Sequence, residues 1–305
     1  MDETKVEILK EEKTPRYNFL LNAVLIIGLV VVGSYYLFGS PVRSKDATLH
    51  FKNSDSLSTI SKELEKNNII RHPFVFKGII YTLSLDRHIP AGDYLFKKDE
   101  SFYRVILQVL RGEHGVEPIR ITIKEGMTNE DITKLLADKI SGFRKDLFVL
   151  DPKVKQGYLF PDTYFFFPLS TTDEIVNEIT ADFNKRISSL RNDIDKSGKS
   201  LDEIITMASI LEKEASGKDD IYVISGILWK RIKLGMLLQA DAAPTTYKQS
   251  GLPNSPISNP GLLAIKAALN PKESPYLFYL HDDNGGVHYA VDFSQHRSNI
   301  AKYLK

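Results

Sequence analysis

The stretch IRITIKEGMTNEDITKLLADKI, residues 119–140, runs through two periodicities in succession. Ile119, Ile121 and Ile123 alternate with polar residues, the pattern of a half-buried strand. From Met127 the spacing lengthens to that of a helix, and Thr128 with Asp131 three residues on approximates a capping box. The same order occurs earlier in the chain. TLHF (48–51) reads as a strand, and DSLSTISKELEKNNII (55–70) places Leu57, Ile60 and Leu64 on one helical face. Asp55 or Ser56 suits its N-cap, and Asn67-Asn68 its C-terminal end. Between the two copies, AGDYLF (91–96) reads as a strand and SFYRVILQVLRGE (101–113) as an amphipathic helix. Residues 46–140 are therefore expected to form an α/β subdomain.

Upstream lies FLLNAVLIIGLVVVGSYYLF (19–38), uncharged, with Tyr17, Tyr35 and Tyr36 near its ends. About 20 residues of helix span the roughly 30 Å hydrocarbon layer of a bilayer, and tyrosines favour the headgroup region. A single transmembrane helix over 18–38 is expected, preceded by a tail (1–17) and followed by a linker (39–45). Lys5, Lys10, Lys13 and Arg16 precede the span and Arg43 and Lys45 follow it, which places the N-terminus in the cytoplasm and the bulk of the chain outside. The apolar run exceeds a signal-peptide core of roughly 7–15 residues, and no A-x-A site follows.

The composition narrows the chemistry. Forty Lys and Arg balance 39 Asp and Glu over 305 residues, so no nucleic-acid footprint stands out. The absence of cysteine removes disulfide scaffolds, thiolate metal sites and thiol catalysis. His281, His288 and His296 have no acidic partners in a ligand pattern, so no metal and no cofactor is expected. His288 beside the hairpin turn reads as structural or substrate-facing.

Downstream of 141 come the aromatic run YLFPDTYFFFP (158–168), then helix-like segments at 173–190, 201–216 and 221–238. A loop rich in Pro, Gly and Asn fills 244–261. A short helix (262–270) and a hairpin (276–291) with Asn284-Gly285-Gly286 near its turn follow. In LDEIITMASILEKEAS (201–216) the apolar face centres on Ile204. Glu212 and Glu214 lie about 80° to either side of it, so either could be a partly desolvated general acid, and the wheel does not choose. Asp162, in a turn crowded with rings, is a second acidic candidate, because ring faces cover the apolar faces of sugars.

GYLFPDTY (157–164), ASILEKEA (208–215), LQAD (238–241), GLP (251–253) and PISNPG (256–261) occur in that order. Together they closely resemble the YceG-like, or MltG, family of endolytic murein transglycosylases, and the resemblance spans residues 18–305. The strand–helix units resemble LysM-type glycan-binding modules. The resemblance implies an α+β chain: one membrane helix, a LysM-like α/β subdomain (46–140) and a mixed α+β catalytic domain (141–305). It implies a bacterial cytoplasmic-membrane enzyme that cuts MurNAc–GlcNAc bonds in peptidoglycan glycan strands, leaving 1,6-anhydro ends, in the company of wall-building synthases. One Glu serves as acid and base, Glu214 by alignment with Glu212 as the alternative. By the same resemblance, Tyr158, Asp162, Thr163, Tyr164, Gln239, Asp241 and Asn259 are expected to line the groove or hold its walls. Pro161, Pro253, Pro260 and Gly261 fix loop geometry. Two positions depart from the family: Gln156 replaces a usual Glu, and the segment between LQAD and Thr245-Thr246-Tyr247 is shortened. A tethered glycan-binding protein without turnover is the competing expectation.

Overall fold

The computed structural model describes residues 16–38, 45–83, 89–214, 217 and 220–304, with the side chains of 16–20 and 36–37 outside the description. Most of the expected tail and linker lies outside the described residues. The chain divides into two compact units, 1–116 and 117–305. The second strand–helix copy thus falls in the second unit. The architecture is α+β: helices with three two-stranded antiparallel sheets among the described residues.

The first unit opens with α1 (Arg16–Phe38). Its large apolar side chains from Leu21 to Val32 are each more than half exposed. Its side chains are described without a break only over 21–35. Among the described residues no helix is long and apolar enough to cross a membrane. After it, β1 (Ala47–Phe51) pairs with β2 (Gly92–Phe96), Ala47 opposite Phe96 and Phe51 opposite Gly92. Helices α2 (Leu57–Lys66), α3 (Pro73–Thr82) and α4 (Phe102–Arg111) complete the unit around Phe51, Leu64, Phe76, Tyr94 and Phe96. Of the two expected caps for α2, Ser56 takes the role, its hydroxyl accepting from Thr59 N–H at 3.1 Å. α3 gave no signal, because PFVFKGIIYT is apolar on nearly every side; Pro73 opens it.

In the second unit, β3 (Ile119–Thr122) pairs with β4 (Thr163–Phe166) inside the aromatic run. The strand ends sooner than its alternation suggests. Gly126, at φ 77°, turns the chain, and its N–H donates to Asn259 C=O at 2.8 Å. α5 (Asn129–Lys139) begins with the expected Thr128–Asp131 capping box. α6 (Lys145–Leu150) and α7 (Thr172–Ser188) pack over β3 and β4 around Ile121, Leu136, Phe148, Leu159 and Ile179. A second core joins α8 (Arg191–Ser197), α9 (Leu201–Glu214), α10 (Asp220–Lys233) and α11 (Leu262–Leu269). α10 stops at Lys233 instead of running on to 238, because Gly235 adopts φ 70° and reverses the chain. A 3₁₀ turn (Pro244–Tyr247) follows. Then come the hairpin β5 (Phe278–His281) and β6 (Val287–Ala290), and α12 (Phe293–Tyr303).

Candidate active site

Both carboxylates of the Glu-Lys-Glu run stand at the C-terminal end of α9. Ser200 and Glu203 cap the start of this helix, Glu203 Oε2 accepting from Ser200 N–H at 2.8 Å and Ser200 Oγ from Glu203 N–H at 3.2 Å. Every residue from Ile204 to Leu211 is buried, so the helix is clamped along its middle. Glu212 and Glu214 then leave it on opposite sides.

Glu212 turns to the start of α11, where its Oε2 accepts from Gly261 N–H at 2.8 Å. Burial holds its carboxyl above the ordinary range, the Gly261 hydrogen bond opposing and nearby Glu125 adding to the rise. Between the unfolded value and this raised one the folded chain binds more protons than the unfolded chain. Stability from this group is therefore full at low pH and falls as pH rises through the window. Glu212→Gln, whose amide oxygen can still accept from Gly261, is expected to gain stability relative to the parent at pH 7 but not at pH 4. Urea midpoints at the two pH values check this. A difference independent of pH would assign the burial no electrostatic cost. Glu178, also raised mainly by burial, keeps its own slope in both proteins.

Glu214 faces the other way. Its Oε1 accepts from Ala242 N–H at 2.9 Å and its Oε2 from Tyr279 O–H at 3.2 Å. A carboxylate has about four lone-pair positions, so both oxygens keep capacity for a substrate. Ala242 belongs to the short loop after α10. Thr246 pins that loop from inside: its Oγ1 donates to Ala243 C=O at 2.6 Å and accepts from Ala240 N–H at 3.0 Å. Arg231, buried on α10, donates to Leu238 C=O at 2.6 Å and to Leu277 C=O at 2.7 Å. It thereby ties the loop to the strand that carries Tyr279. At the surface Tyr247 O–H donates to Asp241, and this bond pushes the phenol up to about 12. Burial, with Glu214 beside it, pushes the Tyr279 phenol well above its ordinary value. The shortened segment is thus a closed, self-bonded loop that still reaches the carboxylate.

Of the remaining expected site residues, only Gln239 shares the loop beside Glu214, and the others lie apart from it. Tyr158 O–H donates to Asp202, in the first turn of α9, and its ring lies 4.9 Å from that of Phe183. Twelve residues of helix separate Asp202 from Glu214, roughly 18 Å at 1.5 Å per residue. Tyr158 and Phe183 line an open groove of about 620 Å³ with Lys153, Lys155, Asn177 and Asn184. Asp162 Oδ2 accepts from Arg186 at 2.8 Å, Thr163 Oγ1 is 3.0 Å from Thr122 Oγ1, and buried Tyr164 donates to Phe160 C=O at 2.8 Å. Gln239 is exposed on the pinned loop at φ 50°.

Asn259 is fully buried and holds walls without lining them. Its Oδ1 accepts from Gly157 N–H at 3.0 Å and Leu159 N–H at 2.9 Å. Its Nδ2 donates to Met127 C=O at 3.0 Å and Asn129 Oδ1 at 2.9 Å. Gly157 is glycine for a reason: φ is 90°, and a Cβ would meet Pro256 at 2.6 Å. Gln156 accepts from Asn129 N–H at 3.0 Å, at the start of α5. Gln156, read from the sequence as a departure from the family pattern, is therefore a helix-start contact. His288 is a hairpin brace, donating to Asp282 at 2.7 Å and stacking on Tyr303.

Arg231 and Tyr279 are neighbours of Glu214 that the motif reading did not single out, and Thr246 and Tyr247 were read only as the far end of the shortened segment. Tyr279 sits in the YLFYL run and Tyr247 ends the Thr-Thr-Tyr run. Those runs were the only signal: the contacts that join Tyr279 to Glu214 and Arg231 to Leu277 cross 65 and 46 positions.

The sequence profile of the YceG-like family matches residues 49–245 and 244–302. The match breaks within the pinned loop. A relative in Bacillus subtilis (strain 168), named endolytic murein transglycosylase, is 25% identical over 333 aligned positions, covering 90% of this chain and 91% of the relative. The aligned length exceeds the 305 residues here, so the relative carries residues that this chain lacks. A protein of the same name in Streptococcus pneumoniae (serotype 2, strain D39) is 23% identical; the match covers 94% of this chain but 65% of that protein. A solved structure of a yceG-like protein from Listeria monocytogenes is 25% identical and superposes with a TM-score of 0.54, covering 84% of this chain and 99% of that one.

Proposed function

Because the chain belongs to the YceG-like family, we propose that it is a membrane-anchored endolytic transglycosylase acting on peptidoglycan glycan strands. The observation that carries the proposal is the Glu214 carboxyl, bonded on both oxygens at the end of a buried helix and next to the exposed Asp241 and Tyr247. Glu214 in its acid form protonates the oxygen linking MurNAc to GlcNAc, and the bond to the anomeric carbon breaks. The resulting carboxylate takes the proton of the muramyl 6-hydroxyl as that oxygen attacks the same carbon. The product carries a 1,6-anhydro ring, and no water is consumed. Since the nucleophile belongs to the substrate, the second carboxylate of a hydrolase is not required.

Tyr158, Phe183 and the amide side chains beside them supply ring faces and hydrogen bonds suited to acetamido sugars. Residues 46–140 are assigned to glycan binding and 141–305 to catalysis, the second strand–helix copy being built into the compact unit of the acid. Helix α1, apolar around its described length, is assigned as the anchor, with the N-terminus in the cytoplasm by the Lys/Arg balance. Wall-building synthases are the partners proposed.

Mass spectrometry of fragments released from peptidoglycan by the full chain in detergent tests the reaction. Anhydro ends, one water lighter than reducing ends, are expected. Reducing ends would make it a hydrolase. Strand binding with no release would support the glycan-binding reading, which the shortened loop favours.

A further inference from the structure

We infer that Tyr279 is the positioning residue that lets one carboxyl act first as acid and then as base, and that Oε2 of Glu214 is the oxygen that carries the transferred proton. The inference rests on the reading of Glu214 as the acid.

The two partners of this carboxyl are chemically unlike. Ala242 offers a backbone N–H, which can only donate. Tyr279 offers a hydroxyl, which donates or accepts by rotating about its C–O bond. A proton on Oε1 would turn that oxygen into a weakly accepting hydroxyl facing an N–H that has no other use. A proton on Oε2 leaves Oε1 as a carbonyl, a good acceptor for Ala242. It faces a phenol that can swing from donor to acceptor. Only the second arrangement satisfies both neighbours in both protonation states.

In the cycle, the Oε2–H bond breaks as the proton passes to the glycosidic oxygen, whose bond to the anomeric carbon breaks in turn. Tyr279 O–H then turns back to donate to Oε2, as the geometry here shows it, and stabilises the carboxylate. When the 6-hydroxyl gives up its proton to Oε2, the acid form is restored. The hydroxyl keeps its own proton throughout, so Tyr279 positions without being consumed. The groups that face this carboxyl are Tyr279 from β5 and Tyr247 and Asp241 from the pinned loop, with Arg231 of α10 behind the two tyrosines.

Tyr279→Phe removes the hydroxyl and keeps the ring. Without the hydroxyl, Oε2 loses the one neighbour that can donate to its carboxylate form and accept from its acid form. kcat should fall about tenfold while KM stays within about twofold, as expected for loss of a hydrogen bond to a charged group. A fluorinated tyrosine at 279, which restores the hydroxyl at nearly the same size, should recover most of kcat. A kcat that holds in Tyr279→Phe, or a loss that appears in KM alone, would overturn the inference. Continued release of anhydro ends by Glu214→Gln would instead sink the assignment of the acid itself.

Discussion

Glu214→Gln is expected to lower release of anhydro fragments by about 10³-fold, within the range for loss of a general acid–base group, while urea unfolding is unchanged. The amide is nearly isosteric. Its oxygen can keep the bond from Ala242 N–H, and its NH2 can donate to Tyr279, whose hydroxyl then accepts. What it cannot do is give a proton and take it back. Glu212→Gln is the matched control, two residues away on the same helix with its oxygen on Gly261 N–H. That variant should retain most of the activity. The reverse pattern would move the acid to Glu212 and make the Ala242–Glu214–Tyr279 contacts structural.

Asn259→Ala is expected to cost about 3–5 kcal/mol of stability. Four side-chain hydrogen bonds disappear at once, and the Gly157 and Leu159 N–H groups are left buried without an acceptor. Each such orphan costs about 1–3 kcal/mol. Asn259→Asp should fare no better, since it sets a carboxylate against Met127 C=O and the Asn129 side-chain oxygen. Urea unfolding of the second unit checks both. A loss below about 1 kcal/mol would mean that water replaces the amide in these bonds.

The parts of this fold that were legible were the local ones. Ser56, the Thr128–Asp131 box and the turn at Asn284-Gly285 involve partners within a few residues, so the signal is contiguous. β4 was hidden because Thr163–Phe166 becomes a strand only by pairing with Ile119–Thr122, some forty residues away. The helical wheel placed Glu212 and Glu214 symmetrically about Ile204 and could go no further. What distinguishes them is what each meets, Gly261 for one and Ala242 with Tyr279 for the other, and those contacts come from beyond α9. Asn259 is the extreme case. Its motif PISNPG suggested the site, but its role depends on residues 100 and more positions upstream.

Helix α9 ties Tyr158, through Asp202, to one of its ends and carries Glu214 at the other. Its buried middle makes it a rigid rod, so it works as a measuring stick. If Glu214 is the acid, as proposed, and a glycan sits against Tyr158, the distance to the bond being cut is set by a count of residues and not by the closing of a loop. One added turn would displace the cut by about 5.4 Å.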